Sequence, residues 1–325
     1  MIPAPQRGDE VWHSGTVTGV GSLPGQDPIE AARFVLGELS VPHLPELPAR
    51  GAHADLAGRG AALLADLHVD LQPSGWRMVP RPSRDGRRAR DLLLRDLDAF
   101  EEAGHAAPPD LLKLQATGPW TLAAALELHR GDRVLADHGA VDDLAASLAE
   151  GLRLHVADVQ RRFPGTTIVL QLDEPSLPAV LAAHVPTSSG FRTLRAPDGQ
   201  RAREVLRTVL AAAEKTVLHC CAPDPPLALM AEAGAVSFDG SLPYDEDVLG
   251  EICERGTGLL LGVAPTTGTA PPAVRAVVET VGRLRDRVGV THLTLTPACG
   301  LAGASPAYAR AVLARLTQAA QELAT

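Results

Sequence analysis

Thr216-Val217-Leu218-His219-Cys220-Cys221 decides how this chain is read. A short β-forming run ends abruptly in a histidine and two cysteines, the pattern of a buried strand that delivers chemistry at its end. The same unit recurs through the second half. A helix over 201–213 precedes this strand, and helices over 226–233, 245–255 and 272–288 each lead to another, at 235–238, 258–263 and 292–296. Ser305 then stands as the cap of a last helix ending near Leu323.

Working back toward the start, a strand over 167–172 closes on Asp173-Glu174-Pro175. Another, over 111–115, runs into Thr117-Gly118-Pro119-Trp120, and two helices broken near 129–132 separate the two. The first strand, 16–20, enters the turn 21–25, where Asp27 caps a helix with Pro28 at its first position. Between these lie a proline-broken loop over 42–48 that carries Glu46, a helix over 54–64 and a second strand over 69–73. The arginine-rich stretch 77–90 reads as a solvated loop, or alternatively as an anion-binding lid, before a helix over 91–102. Eight near-continuously apolar strands separated by amphipathic helices call for a parallel sheet covered on both faces. The expected fold is α/β, a single (β/α)8 barrel over 15–325 preceded by a polar tail, 1–14. An open doubly wound sheet is the alternative, but Gly19-Val20-Gly21 lacks the third glycine of a dinucleotide-binding turn.

Composition narrows the function. The chain is 45% hydrophobic with only 3% aromatic residues, so Leu, Val and Ala must build the core. A net charge of −9 speaks against nucleic acid or an anionic membrane as partner. Neither a bilayer-length apolar run nor a leader pattern is present, and four cysteines, two of them adjacent, do not make a disulfide framework. A reducing cytoplasm is the expected location.

In a barrel of this kind the chemistry gathers at the C-terminal ends of the strands. His219 and Cys221 at one strand end, Asp239 at the next and Cys299 at the last form a candidate tetrahedral zinc site. Cys220 alternates with its neighbours in side-chain direction and is expected in the core, as is Cys253. Trp120 is read as a core or rim aromatic, with stacking on a flat ligand as the alternative. His13, His43, His53 and His184 lie in loops and receive no role.

Several segments together resemble a known family. Thr18-Gly19-Val20-Gly21-Ser22-Leu23-Pro24, Thr117-Gly118-Pro119, Gln171-Leu172-Asp173-Glu174-Pro175, His219 with Cys221, and Pro297-Ala298-Cys299-Gly300-Leu301 occur in the order seen in the C-terminal barrel of cobalamin-independent methionine synthase. The resemblance implies a barrel of the methionine synthase and uroporphyrinogen decarboxylase type, with zinc on His219, Cys221 and Cys299 and homocysteine as the thiol substrate. It assigns Ser22 and the backbone around Val20 to the substrate carboxylate. Asp173 and Glu46 fall to its amino group.

Three departures stand out. Asp239 replaces the family's glutamate ligand, one methylene shorter. Gly262-Val263-Ala264-Pro265-Thr266-Thr267 lacks the histidine the family carries there. The chain also has room for one barrel where the full-length enzymes have two. The expected activity is zinc-dependent methyl transfer to homocysteine from methyltetrahydrofolate or a methylcorrinoid protein. The alternatives are alkyl transfer to another thiol, or a thiol-binding relative without turnover.

Overall fold

The computed structural model describes residues 15–290 and 293–324. The expected tail 1–14 and His292 lie outside the described residues. In chain order the strands are β1 (Thr16–Val17), β2 (His68–Gln72), β3 (Gly75–Val79), β4 (Leu111–Thr117), β5 (Thr167–Asp173), β6 (Lys215–Cys220), β7 (Ala235–Asp239), β8 (Gly258–Ala264) and β9 (Leu293–Pro297). Seven of them form one parallel sheet in the order β1-β9-β8-β7-β6-β5-β4. The helices are α1 (Pro28–Glu38), α2 (Leu56–Ala62), α3 (Arg84–Gly104), α4 (Pro119–Ala125), α5 (His138–Arg162), α6 (Leu177–Leu181), α7 (Gly199–Leu210), α8 (Leu227–Met230), α9 (Glu246–Glu254), α10 (Val274–Val288) and α11 (Pro306–Ala324). Their starts follow local capping chemistry: Asp27 accepts from the Ile29 and Glu30 amides ahead of α1, and Ser305 from Tyr308 N at 3.1 Å ahead of α11.

The gap between β1 and β4 is bridged by the segment expected to be a loop. Val41 N donates to Val17 O (3.1 Å), Lys113 N to Pro42 O (2.9 Å), Leu44 N to Lys113 O (3.0 Å) and Glu46 N to Gly21 O (3.2 Å). Both bridges made there, Ser22 with Glu46 and His43 with Lys113, are parallel. Pro42, Pro45 and Pro48 supply carbonyls but no N–H, so the segment pairs irregularly while still closing the barrel. The expected second barrel strand, 69–73, is instead β2, which pairs antiparallel with β3 in a separate hairpin. Arg77–Arg90 is likewise not a loop. Arg77 lies on β3 and pairs with Glu127, Arg81 lies in the short link that follows, and Ser83 caps α3, whose first turns carry Arg84, Arg87, Arg88 and Arg90.

Strand alternation sorts side chains between two environments. Leu112, Leu114, Leu170, Leu172, Leu218, Val236, Phe238, Leu259 and Leu261 pack in the main core with the helices. The intervening positions form a different set: Val169, Val217, Ala235 and Leu260, with Leu111, make a small apolar cluster of their own. Two residues further along four of these five strands that parity turns polar, at Lys113, Gln171, His219 and Ser237, all buried. The barrel lumen therefore has an apolar floor and a polar layer above it. No helix among the described residues is long and apolar enough to cross a membrane.

Candidate metal centre and barrel mouth

Three of the four expected metal ligands converge. One ligand atom each from His219, Cys221 and Cys299 lies within 4.8 Å of the others. His219 is delivered by β6, Cys221 by the residue just past it, and Cys299 by the turn after β9. The imidazole is oriented from the neighbouring strand: Ser237, in register with His219, places its hydroxyl 2.9 Å from Nδ1. That leaves Nε2 buried and without a hydrogen-bond partner. A buried ring nitrogen with no partner beside two thiols is the donor set a soft divalent cation takes, so the residues fit zinc.

The two sulfurs are 2.7 Å apart and share one hydrogen bond. That bond, aided by the nearby His219, holds the Cys299 thiol down at about 4 against the opposing effect of burial. The same bond, together with burial, drives the Cys221 thiol upward. Cys220 faces the helices, fully buried in the main core, and Cys253 on α9 packs against that core.

Asp239 closes β7 but stands outside the three-residue cluster. Its Oδ1 accepts from Ser241 N (2.9 Å) and Ser241 Oγ (2.6 Å). It does line, with Cys221 and Cys299, a cavity of about 570 Å³ that runs past the loop after β8 toward Tyr244, Arg283 and Arg287.

The residues expected at the amino-acid end gather beside this cluster: Asp173 is in register with His219 on the neighbouring strand. Ser22 bridges Glu46, and Ser22 O accepts from Leu301 N at 2.7 Å. A Cβ on Gly300 would collide with Ser22 Oγ, so only glycine lets the Ser22 and Cys299 turns lie this close. The Val20 carbonyl accepts from Lys113 Nζ (2.8 Å) and Gln171 Nε2 (2.9 Å), and Gln171 also donates to Asp173 Oδ1 (2.6 Å). Burial pushes the Asp173 carboxyl up to about 7, opposed by His219 and Lys113. Burial likewise raises Glu46, against the pull of Arg59 (3.3 Å away) and Lys113. Arg59 is itself held by Asp96 (2.6 Å), which also takes two bonds from Arg50 at 2.7 and 2.8 Å.

Several contributors escaped the sequence reading: Lys113, Gln171, Ser237, Arg59 and Asp96. Glu174 is another; it accepts from Trp120 N (2.8 Å), Thr121 N (2.7 Å) and Thr121 Oγ (2.6 Å), pinning the start of α4 to the end of β5. Trp120 is buried with Nε1 donating to Ala202 O at 3.2 Å. His43, read as a loop residue, is buried in the barrel-closing segment.

A parallel barrel with two thiols and an imidazole gathered at its strand ends places the chain among barrel proteins of the (β/α)8 type with a candidate metal centre at the mouth. More narrowly, residues 15–322 match the family described as "Cobalamin-independent synthase, Catalytic domain", and the chain belongs to that family. Among solved structures, a B12-independent methionine synthase from Shewanella sp. W3-18-1, in complex with selenomethionine, has a similar fold. It aligns at a TM-score of 0.61 and 12% identity over 94% of this chain and 97% of that one. A GH18 chitinase from Pseudoalteromonas aurantia aligns at a TM-score of 0.34 and 10% identity, over 87% and 94%, a likeness too slight to bear on the fold. No curated protein matches the sequence.

Proposed function

We propose that this protein transfers a methyl group to the thiol of homocysteine, giving methionine, with zinc held by His219, Cys221 and Cys299. One observation carries the reading: in a chain of this family, the cluster with its partnerless Nε2 shares one barrel mouth with the buried acids Asp173 and Glu46. Zinc bound there would keep the substrate sulfur deprotonated and nucleophilic at neutral pH. Asp173 and Glu46 pair with the substrate ammonium, while Ser22 and the backbone around Val20 receive its carboxylate. Held at both ends, the thiol is presented in one orientation to the donor. As fourth ligand, Asp239 would give up its bonds to Ser241.

A second reading concerns the donor. The loop after β8, Pro265-Thr266-Thr267, carries no titratable side chain. Methyltetrahydrofolate needs a proton on its leaving nitrogen, whereas a methylcorrinoid departs as the reduced corrinoid without one. That difference favours a methylcorrinoid, free or protein-bound, or another alkyl donor whose leaving group needs no acid.

Homocysteine methylation assayed in parallel with methyltetrahydrofolate and methylcobalamin tests both readings. Methionine from either donor supports the reaction, and which donor works decides between them. Homocysteine binding without turnover on either donor would reduce the protein to a thiol-binding relative. No binding at all would end the proposal.

A further inference from the structure

Only two of the thirty basic residues in this chain are lysines, Lys113 and Lys215. Lys113 is fully buried on β4, in the polar layer of the barrel lumen, while Lys215 is partly exposed at the start of β6. A chain that uses arginine almost everywhere thus keeps a compact ammonium at one of its most enclosed positions. The difference is physical: a guanidinium brings five donors in a rigid fork, and an ammonium brings a point charge with three rotatable donors. Burying that charge is costly unless it does something the site needs.

Its surroundings indicate what that is. Nζ donates to the Val20 carbonyl at 2.8 Å, where Gln171 also donates, so the peptide leading to Ser22 is held from below by two donors. Burial draws the lysine down to about 8, opposed by the charges of Asp173 and Glu46. Yet no carboxylate of the described residues is in ion-pair contact with it. The ammonium is near enough to bias both acids without itself taking any of their oxygens. Arg50 and Arg59 stand against Asp96 and Glu46, which leaves Lys113 as the lysine ammonium facing Asp173.

We infer that Lys113 is a positioning residue for the amino-acid end of the substrate, clamping the Val20 carbonyl and offsetting the Glu46–Asp173 charge without occupying either acid. This rests on the reading of the substrate as an amino-acid thiol. It makes the barrel selective for thiols bearing an ammonium and a carboxylate, and Lys113 touches neither the sulfur nor the metal cluster.

The test uses the zinc-loaded full chain and two ligands, homocysteine and propane-1-thiol, which shares the sulfur but lacks both charged groups. Wild type is expected to bind homocysteine at least tenfold more tightly. Lys113→Met, close in length but uncharged, is expected to lose at least tenfold in homocysteine affinity and stay within twofold for propane-1-thiol, with unchanged metal content. Full retention of the homocysteine preference in Lys113→Met overturns the role of Lys113. Absence of that preference in wild type instead overturns the amino-acid reading, so the two failures are separable. Should Lys113→Met not fold, wild type labelled with 15N-lysine, which gives only two side-chain signals, answers the question. The Lys113 ammonium signal should shift with homocysteine and not with propane-1-thiol, and an unmoved signal refutes the inference.

Discussion

Ser237→Ala isolates the orienting bond at the candidate metal centre. Ser237 is 1% exposed and its hydroxyl lies 2.9 Å from His219 Nδ1. Removing the hydroxyl leaves a ring nitrogen buried without a partner, a defect worth about 1–3 kcal/mol. It also frees the imidazole to place its proton on Nε2, the atom that faces the sulfurs. An orienting partner of this kind typically contributes 10- to 100-fold to metal affinity, or about 1.4–2.7 kcal/mol. Zinc affinity in Ser237→Ala should fall within that window, with the fold intact because the side-chain volume scarcely changes. Competition against a chromophoric chelator at pH 7.5 measures it, with Cys221→Ser as the floor and thermal unfolding of the metal-free proteins as the control. Affinity within twofold of wild type would mean that packing, not Ser237, orients His219. A loss as complete as in Cys221→Ser would give Ser237 a larger part than orientation.

Four further outcomes follow from the same geometry. Cys221→Ser or Cys299→Ser should abolish tight zinc binding, while Cys220→Ser keeps about one zinc per chain; elemental analysis of the purified variants decides it. Asp173→Asn should weaken homocysteine about 10- to 100-fold, through loss of a charge-assisted bond of about 1.5–3 kcal/mol, and leave propane-1-thiol unchanged in the same titration. Asp96→Asn removes the carboxylate that Arg50 and Arg59 share, and should cost about 3–5 kcal/mol in urea unfolding. His155, pushed down to about 4 mainly by burial, is neutral in the fold but takes a proton below about 6.5 when unfolded. Stability from it is therefore full above pH 6.5 and falls toward pH 4 by about 1.4 kcal/mol per unit; unfolding between pH 7 and 4.5 should show a shallower decline in His155→Gln.

The strand–helix alternation was legible because parallel strands covered on both faces are written as apolar runs, and the second half of the chain contains little else. One strand was misplaced for a definable reason. His68–Gln72 has strand composition, but its partner lies two residues on, beyond Pro73-Ser74, where Gly75-Trp76-Arg77-Met78-Val79 forms the second arm of a hairpin. The segment that closes the barrel carries three prolines and reads as a loop by any local rule. It pairs through the amides of Val41, Leu44 and Glu46, the positions its prolines leave free. Such pairing depends on the neighbouring strands and has no local signature.

For the site, the soft metal-ligand types announced themselves, and ordinary polar side chains did not. His219, Cys221 and Cys299 stood out at strand ends, whereas Lys113, Gln171 and Ser237 looked like interruptions inside apolar runs. Parity explains them. Counting back by two from Asp173 gives Gln171 and then Val169, from Cys221 gives His219 and Val217, and from Asp239 gives Ser237 and Ala235. Each series passes from the mouth through the polar layer to the apolar floor. The same count separates the adjacent cysteines. Cys220 has the opposite parity and lies among the helix-facing side chains, where burial pushes its thiol up to about 12, while Cys221 turns toward His219. Two identical side chains, neighbours in sequence, thus occupy opposite faces of the barrel wall, one inert in the core and one at the mouth. A one-residue shift in the register of β6 would exchange them and carry His219 out of the lumen. The register that pairs His219 with Ser237 in β7 therefore keeps the imidazole on the lumen side, with Cys221 two residues on.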